Sequence, residues 1–376
     1  MPAGMVAFAT AVVVATEFIV VGLLPPMARD LAVSLPSAGH FVSAFALGSA
    51  IFGPLLMIPA GRWEPRRVMA LALVPFVLGN LAAAAMPGYF MVLAVRILEG
   101  ATLPVLVSTG SAALAALAGP GREGRAVSLV YLGVVAGLVV AMPAGTALAG
   151  AVDWRMSFIA LGGLALMAMT ALALGFPRLG SGPASVAGEL SAVRRPSVLA
   201  HLVLSALIFA ALFAPYTYLA ALLEGPVGLG ATGIAWALMG FGLAGIPGNS
   251  AAGFLSDRGA TRATAGAALL LAATLVVLPY AAACLALLLP VLAIWGAVHA
   301  GVFLLCQMRV MQSAPDAPAF AGTLNISAAN LGIAAGGAFG GEMLMRGGIE
   351  AVTGGGAALA LLALAFAVAL LKAGER

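Results

Sequence analysis

The sequence predicts an all-α membrane protein of twelve membrane-spanning helices, arranged as two pseudo-symmetric six-helix bundles. Of its 376 residues, 63% are hydrophobic and only 8% are charged, so no water-soluble domain could cover this much apolar surface. Apolar runs of about 20 residues, the length that crosses a bilayer core, recur along the chain. The runs lack the alternation of a membrane barrel, and lipid offers no hydrogen-bond partners to free backbone groups. Each run is therefore expected to be a helix.

Six runs precede a polar segment and six follow it. The first six spans are predicted at 5–24, 41–60, 68–85, 89–117, 126–151 and 158–174. The second six are predicted at 198–223, 233–255, 263–283, 285–308, 317–345 and 352–371. The charge-free stretch 263–308 is too long for one span, so a tight turn is expected between Pro279 and Pro290. These spans define an N-terminal bundle at 1–176, a cytoplasmic linker at 177–197 and a C-terminal bundle at 198–376.

The positions of the basic residues predict that both termini face the cytoplasm, because basic loop residues stay on that side of a membrane. With the N-terminus inside, thirteen of the 17 basic residues are cytoplasmic: Arg62, Arg66, Arg67, Arg122, Arg125, Arg178, Arg194, Arg195, Arg258, Arg262, Arg309, Lys372 and Arg376. Arg29, Arg155 and Arg346 then face outward, and Arg96 lies within the membrane. These short loops explain the net charge of +4, so no nucleic-acid partner is expected.

The two halves share a sequence signal. The loop after span eight reads Gly-Phe-Leu-Ser-Asp-Arg-Gly-Ala-Thr-Arg over residues 253–262. At an offset of 196 residues, Gly61, Arg62 and Arg66 occupy the positions of Asp257, Arg258 and Arg262, and Gly145 occupies that of Gly341. Repeats of this size predict a duplicated six-helix bundle, with cargo held between halves that rock against each other.

The pattern Gly-x-Leu-x-Asp-Arg-x-x-x-Arg in that loop resembles the cytoplasmic signature of the major facilitator superfamily. Other stretches resemble its drug:proton antiporter branch, which includes arabinose-type sugar exporters, purine-nucleoside exporters and chloramphenicol-resistance proteins. They are Thr16-Glu17-Phe18 with Gly22 to Pro25, Arg96-x-x-Glu99-Gly100, Met142 to Gly145, Tyr216-Thr217-Tyr218, and Asn325 to Gly332.

The resemblance implies a secondary active transporter of the bacterial inner membrane. It would export a small polar or amphipathic molecule, such as a drug, sugar or nucleoside, against protons by alternating access. We expect its partners to be that cargo, protons and the lipid bilayer, and we expect it to act as a monomer without a cofactor.

Charged residues within spans cost free energy to insert, so each is a candidate for function. Glu17, Arg96 and Glu99 are the clear cases. Glu17 lies eight residues before Pro25, at the outer end of span one, and Arg96 lies eight after Gly88, at the outer end of span four. At 1.5 Å per residue both lie roughly 12 Å below the outer surface, so they could pair.

Two carboxylic acids beside one arginine could hold about one exchangeable proton near neutral pH, because desolvation favours the protonated acid and the guanidinium favours the ionised one. We expect Glu17 to carry the proton, with Glu99 as the second candidate. The alternative is a structural Glu17–Arg96 ion pair that fixes helix packing and never exchanges a proton.

Polar groups in the second half are candidates for cargo binding. His299 lies near the middle of span ten, where an imidazole could exchange a proton or hydrogen-bond cargo. Tyr216, Gln307, Asn325 and Asn330 lie on spans seven, ten and eleven. As a set they predict a neutral, hydrogen-bonding cargo, although bonds between neighbouring helices would explain each of them as well.

Two further groups are candidates for conformational gating. Asp257, Arg258 and Arg262 are expected to form an inter-helix charge network that stabilises the outward-open state; a solvated loop is the alternative. In the first half, Gly61 stands where the family carries aspartate and Met57 where it carries its first glycine. A latch there would rely on Arg62, Arg66 and Arg67.

Span five contains Pro143 and Gly145, which permit bending and close helix contact. The resemblance implies that they belong to an antiporter motif. Ordinary small-residue packing would produce a similar sequence.

Other classes of protein fit the sequence poorly. An ATP-driven pump needs a phosphate-binding loop ending in Gly-Lys-Ser/Thr, but the one lysine is Lys372. An intramembrane metalloprotease needs His-Glu-x-x-His, which is missing from the sequence. Enzyme activity and a metal site are therefore not expected. A proton-coupled importer remains the main alternative, and a non-transporting receptor or scaffold a weaker one.

Overall fold

The structure is a computed structural model that describes residues 2–60, 62–85, 88–118, 123–179, 195–256, 258–314 and 318–374. Its first half contains the helices α1 (Pro2–Asp30), α2 (Leu35–Ala60), α3 (Pro65–Ala72), α4 (Val74–Ala85), α5 (Tyr89–Ala118), α6 (Glu123–Ala151) and α7 (Trp154–Gly175). Its second half contains α8 (Pro196–Tyr216), α9 (Leu219–Glu224), α10 (Ala231–Ser256), α11 (Ala260–Ala281), α12 (Leu285–Ser313) and α13 (Pro318–Gly374).

The helices confirm the predicted all-α membrane architecture. Within the described residues, 11 helical segments are long and apolar enough to cross a membrane. The last of them, α13, is two helices in succession, because Gly347 and Gly348 leave the helical conformation. Gly348 has φ 64°, a left-handed conformation that favours glycine. Counted separately, the two parts of α13 complete the twelve predicted spans.

The turn that divides the charge-free stretch 263–308 lies where it was predicted. Helix α11 ends at Ala281 and α12 begins at Leu285, with Cys284 at the N-cap. The chain therefore turns in three residues between Pro279 and Pro290, and the charge-free stretch forms two spans. The polar linker predicted at 177–197 lies mostly outside the described residues, which omit 180–194.

The chain divides into two compact units. One comprises Met1–Val33 and Ala44–Val186, and the other comprises Ser34–Ser43 and Ala187–Arg376. In the first unit α1 packs against α6 and α7, and α4 packs against α7. In the second unit α8 and α11 pack against α13, and α10 packs against α12.

Glycines bring equivalent helix pairs into close contact in the two units. A Cβ on any of four glycines would overlap a backbone carbonyl of the facing helix. The contacts are Gly133 with Ala7, Gly137 with Ala11, Gly332 with Ala206 and Gly336 with Ala210. Each residue of the two α8–α13 contacts lies 199 positions after its counterpart in the α1–α6 contacts. Gly332, for example, follows Gly133 by 199 positions. The helix pairs α1–α6 and α8–α13 are thus repeats with one register, three residues longer than the offset of the loop motif. In this register Tyr216 corresponds to Glu17.

Candidate functional site

A buried arginine on α5 organises the charged cluster of the first unit. Arg96 is fully buried. Its Nη1 donates to the backbone carbonyl of Thr16 and its Nη2 donates to that of Glu17, each at 2.7 Å. The guanidinium also lies 4.3 Å from the centroid of the Phe45 ring. Arg96 therefore joins α5 to the middle of α1 at the level of Glu17, the depth that the sequence predicts.

The carboxylates of the cluster are held differently. Glu99 is fully buried one turn along α5, and its Oε2 lies 3.3 Å from Arg96 Nη1. Its Oε1 has no hydrogen-bond partner among the described residues. Arg96 contacts Glu17 through the backbone carbonyl of that residue. The arrangement pairs one carboxylate with the guanidinium and leaves the second half-buried beside it.

In the second unit, His299 lies at the centre of an aromatic cluster. Its imidazole is 1% exposed, and neither ring nitrogen has a hydrogen-bond partner in the described ranges. Four rings have centroids 4.3 to 5.6 Å from it, namely those of Phe213, Tyr216, Phe241 and Phe303. Trp295 packs edge-on against Phe241 at 5.4 Å, and its buried Nε1 also has no described partner. We call these six residues the aromatic cage.

The cage combines apolar walls with unused polar atoms. A neutral imidazole offers one donor and one acceptor, and an indole offers one donor. Buried polar atoms without partners cost free energy unless a ligand or water completes their bonds. The cage is therefore a candidate site for an aromatic or apolar group that carries hydrogen-bonding substituents.

The remaining polar candidates of the second unit lie outside the aromatic cage. Asn325 Nδ2 donates to Gln307 Oε1 at 2.9 Å, so these two side chains meet between α13 and α12. Gln307 lies eight residues beyond His299 on α12, about 12 Å along the helix axis. Asn330 donates to the carbonyl of Ile326 in its own helix, and its buried Oδ1 has no partner among the residues described.

The candidate gating residues of the first half are exposed or paired locally. Arg62 is exposed, and Arg66 Nε lies 3.8 Å from the Glu64 carboxylate, which also pairs with Arg67 at 3.3 Å. Glu64, which sequence reasoning did not single out, thus supplies a carboxylate in this segment. Gly61 lies outside the described residues.

In the second half, Arg258 is exposed and lies over the Phe254 ring at 3.4 Å. Arg262 is exposed near the start of α11. Asp257 lies outside the described residues, so the expected Asp257 network stays a prediction.

The span-five candidates lie inside α6. Pro143 is within the helix, and a Cβ on Gly145 would overlap the side chain of Ile19 on α1. The Gly145 carbonyl accepts a hydrogen bond from Ser157 Oγ at 3.2 Å. Gly145 therefore lies in a tight contact between α6 and α1.

Sequence reasoning missed several residues of the aromatic cage and misplaced Arg309. Arg309 was assigned to a cytoplasmic loop, but α12 continues to Ser313 and the Arg309 side chain is only 2% exposed. The residues missed in the aromatic cage are Phe213, Phe241, Trp295 and Phe303. The spacing of Trp295, His299 and Phe303 by four residues could have found part of the cage, because such residues share one helix face.

Comparison with known proteins places these features in a family. The sequence model described as Major Facilitator Superfamily matches residues 6–337 of the chain. The chain belongs to the major facilitator superfamily. Its members are membrane transporters and not enzymes, so this chain is a multi-pass membrane transporter. The family that the loop motif indicated is confirmed.

Alignments with named relatives cover most of this chain. The inner membrane transport protein YdhP of Escherichia coli O157:H7 is 33% identical over 351 residues, which cover 93% of this chain and 90% of YdhP. The chloramphenicol resistance protein of Streptomyces lividans is 30% identical over 341 residues, covering 89% of this chain and 87% of that protein. A chloramphenicol efflux pump of Mycobacterium tuberculosis is 28% identical over 357 residues, covering 91% and 85%.

A solved structure shares the superfamily fold. A bacterial homologue of the human lysosomal transporter Spinster, in an inward-facing and occupied conformation, superposes with a TM-score of 0.78 at 14% sequence identity. The match covers 98% of this chain and 96% of that chain. At this identity the likeness concerns the fold alone.

Proposed function

We propose that this transporter exports a small polar or amphipathic molecule in exchange for protons, by alternating access across the bacterial inner membrane with both termini in the cytoplasm. The observation that carries the proposal is the charged cluster of the first unit. Two acids and one arginine lie inside spans where a charge is costly to hold, and Oε1 of Glu99 has no hydrogen-bond partner in the described residues. A group that must accept and release a proton needs such a site.

The chemistry follows from the charge balance of the cluster. With both acids ionised, Glu17, Glu99 and Arg96 carry a net charge of −1, and one proton makes the cluster neutral. Arg96 is anchored on two carbonyls of α1, so it stays in place while the proton binds. Glu17 is the proposed proton carrier because its side chain is only half-buried, whereas Glu99, the second candidate, is fully buried and paired with Arg96.

The aromatic cage is the proposed cargo site. Its rings suit an aromatic or apolar group, and the unpaired nitrogens of His299 and Trp295 suit polar substituents on that group. Two relatives are named for chloramphenicol resistance or efflux, and a molecule of that kind combines a ring with polar groups. Chloramphenicol is therefore the first probe, followed by other amphenicols, nucleosides and sugars in a thermal-shift screen.

Transport in inverted membrane vesicles tests the proposal. In these vesicles the lumen corresponds to the outside of the cell. An acidic lumen should drive radiolabelled chloramphenicol, or the ligand found in the screen, into vesicles that contain the protein. Movement of the ligand out of an acidic lumen would indicate an importer. A response equal to that of vesicles lacking the protein would contradict transport coupled to protons.

A further inference from the structure

A second buried arginine, Arg309 on α12, carries a positive charge that neither proposed site uses. Its Nη1 donates to the His201 carbonyl at 2.9 Å and lies 3.0 Å from His201 Nδ1, and its Nη2 donates to Ser205 Oγ at 2.8 Å. All of these acceptors are neutral. No carboxylate pairs with Arg309 in the part of the chain that the structure describes, and its buried Nε has no acceptor there. Burying an uncompensated charge is costly, so this charge calls for an anion.

A chain of hydrogen bonds leads from this charge to a less buried group. Ser205 Oγ, which accepts from Arg309, lies 2.7 Å from Asn325 Oδ1, compared with 3.2 Å from the alternative acceptor, the His201 carbonyl. Asn325 Nδ2 then donates to Gln307 Oε1 at 2.9 Å. Arginine can only donate, so the shorter serine bond fixes the orientation of both amides. Each donor in such a chain strengthens the next.

This chain of hydrogen bonds ends at the amide nitrogen of Gln307. This Nε2 lies 3.7 Å from Met311 Sδ, a weak acceptor. Gln307 is only half-buried, whereas Arg309, Ser205 and Asn325 are buried. A Cβ at Gly322 on α13 would lie 2.5 Å from the same nitrogen, so glycine at this position leaves room for the amide. The amide is thus a polarised donor, aligned with a buried positive charge, that lacks a strong acceptor in the described residues.

We propose that the Gln307 amide, supported by Arg309, binds an oxyanion: a carboxylate or phosphate oxygen of the cargo or of a lipid headgroup. This inference rests on the proposed function only in that the protein transports a cargo, for which the sequence had made Gln307 and Asn325 candidate binding residues. It differs from the neutral cargo that the polar side chains predict from sequence, because it assigns an anionic or strongly electron-rich group to the end of the cargo near Gln307. Arg309 acts through Ser205 and Asn325 and is a positioning residue.

Thermal unfolding of the purified full chain in neutral detergent tests the site with defined probes. Benzoate and benzamide have the same ring and differ in charge, so they are compared at equal ionic strength. Benzoate should raise the Tm by about 2 °C more than benzamide at saturating concentration. Phosphatidylglycerol and phosphatidylcholine, added to the micelles in a second arm, distinguish a lipid headgroup from a free carboxylate as the source of the oxyanion.

Gln307→Glu is the decisive variant, because its carboxylate still accepts from Asn325 but replaces the donor with a negative oxygen. It should fold and lose the anion-dependent rise in Tm. Gln312→Glu is the matched control, since Gln312 is exposed on the same helix and the rise should persist there. An equal rise in Gln307→Glu and wild type, or no preference for benzoate or phosphatidylglycerol in wild type, would overturn the proposal. No proton gradient is used, so the result is independent of whether transport is coupled to protons.

Discussion

At the scale of single residues, the charged cluster of the first unit was partly predictable. The rarity of charges within apolar runs identified Glu17, Arg96 and Glu99, and helix geometry placed Glu17 and Arg96 at one depth. The sequence could not show that Arg96 would donate to the backbone carbonyl of Glu17. That contact depends on side-chain rotamers and on the exact approach of α1 to α5, which spacing along the chain does not determine.

Arg96 is expected to contribute strongly to stability. Its removal would break the side-chain hydrogen bonds to the Thr16 and Glu17 carbonyls and leave the buried Glu99 carboxylate without its guanidinium partner. We expect Arg96→Met to lower the free energy of unfolding by about 3 kcal/mol, measured by denaturant titration in micelles. Arg96→Met with Glu99→Leu should recover part of this loss, because no buried carboxylate then remains beside the missing guanidinium. A double variant no more stable than the single one would contradict this account.

Glu17 is expected to affect coupling and not folding. Glutamine matches glutamate in volume but cannot exchange a proton. In proteoliposomes, Glu17→Gln should abolish gradient-driven chloramphenicol accumulation while chloramphenicol exchange without a gradient persists. Glu350→Gln, at an exposed position, should retain both activities. Unchanged gradient-driven accumulation in Glu17→Gln would remove this residue from the coupling mechanism and direct the test to Glu99→Gln.

His299 is expected to affect binding and stability in opposite directions. His299→Phe removes two buried nitrogens without described partners, so stability should be unchanged or higher by about 1 kcal/mol. Chloramphenicol affinity, measured by isothermal titration calorimetry, should fall because the ring can no longer form a hydrogen bond. Wild-type affinity in this variant would assign His299 to helix packing alone.

At the scale of helices, apolar length and charge-free runs predicted most spans, including the turn before α12. The break within α13 was also predicted, because Gly347 and Gly348 interrupt the helix between the spans expected at 317–345 and 352–371. The end of α12 was predicted too early. A charged residue at the end of an apolar run is typical of a loop, so Arg309 was assigned to one. Its hydrogen bonds to His201 and Ser205 on α8 explain why it is instead buried within α12.

The close contact between α13 and α8 gives a test at this scale. A Cβ on Gly336, in the first part of α13, would lie within 3 Å of the Ala210 backbone, whereas a Cβ on Gly354, in its second part, would have no neighbour within 4 Å. Alanine in a helix is otherwise more favourable than glycine by about 1 kcal/mol. Gly336→Ala should therefore destabilise the protein and Gly354→Ala should be neutral or stabilising, in denaturant titrations of both variants. The same sign for both substitutions would show that the contact does not limit packing.

At the scale of the whole molecule, the sequence predicted the number of spans and the family, because both depend on features repeated along the chain. The two repeats differ at the position of Glu17. The register of the α1–α6 and α8–α13 repeats places Tyr216 where the first unit has Glu17, so the duplicated helices carry an acid in one unit and an aromatic ring in the other. We infer that proton binding and cargo binding have separated between the two repeats.

In proton-coupled export, binding of the cargo to the transporter releases the proton, and binding of the proton releases the cargo. The most direct measurement is proton release upon cargo binding to purified protein in weakly buffered detergent, followed with a pH indicator. We predict about one proton released per chloramphenicol bound near neutral pH, and none in a variant combining Glu17→Gln and Glu99→Gln. Saturable binding to the wild-type protein without proton release would contradict proton-coupled export.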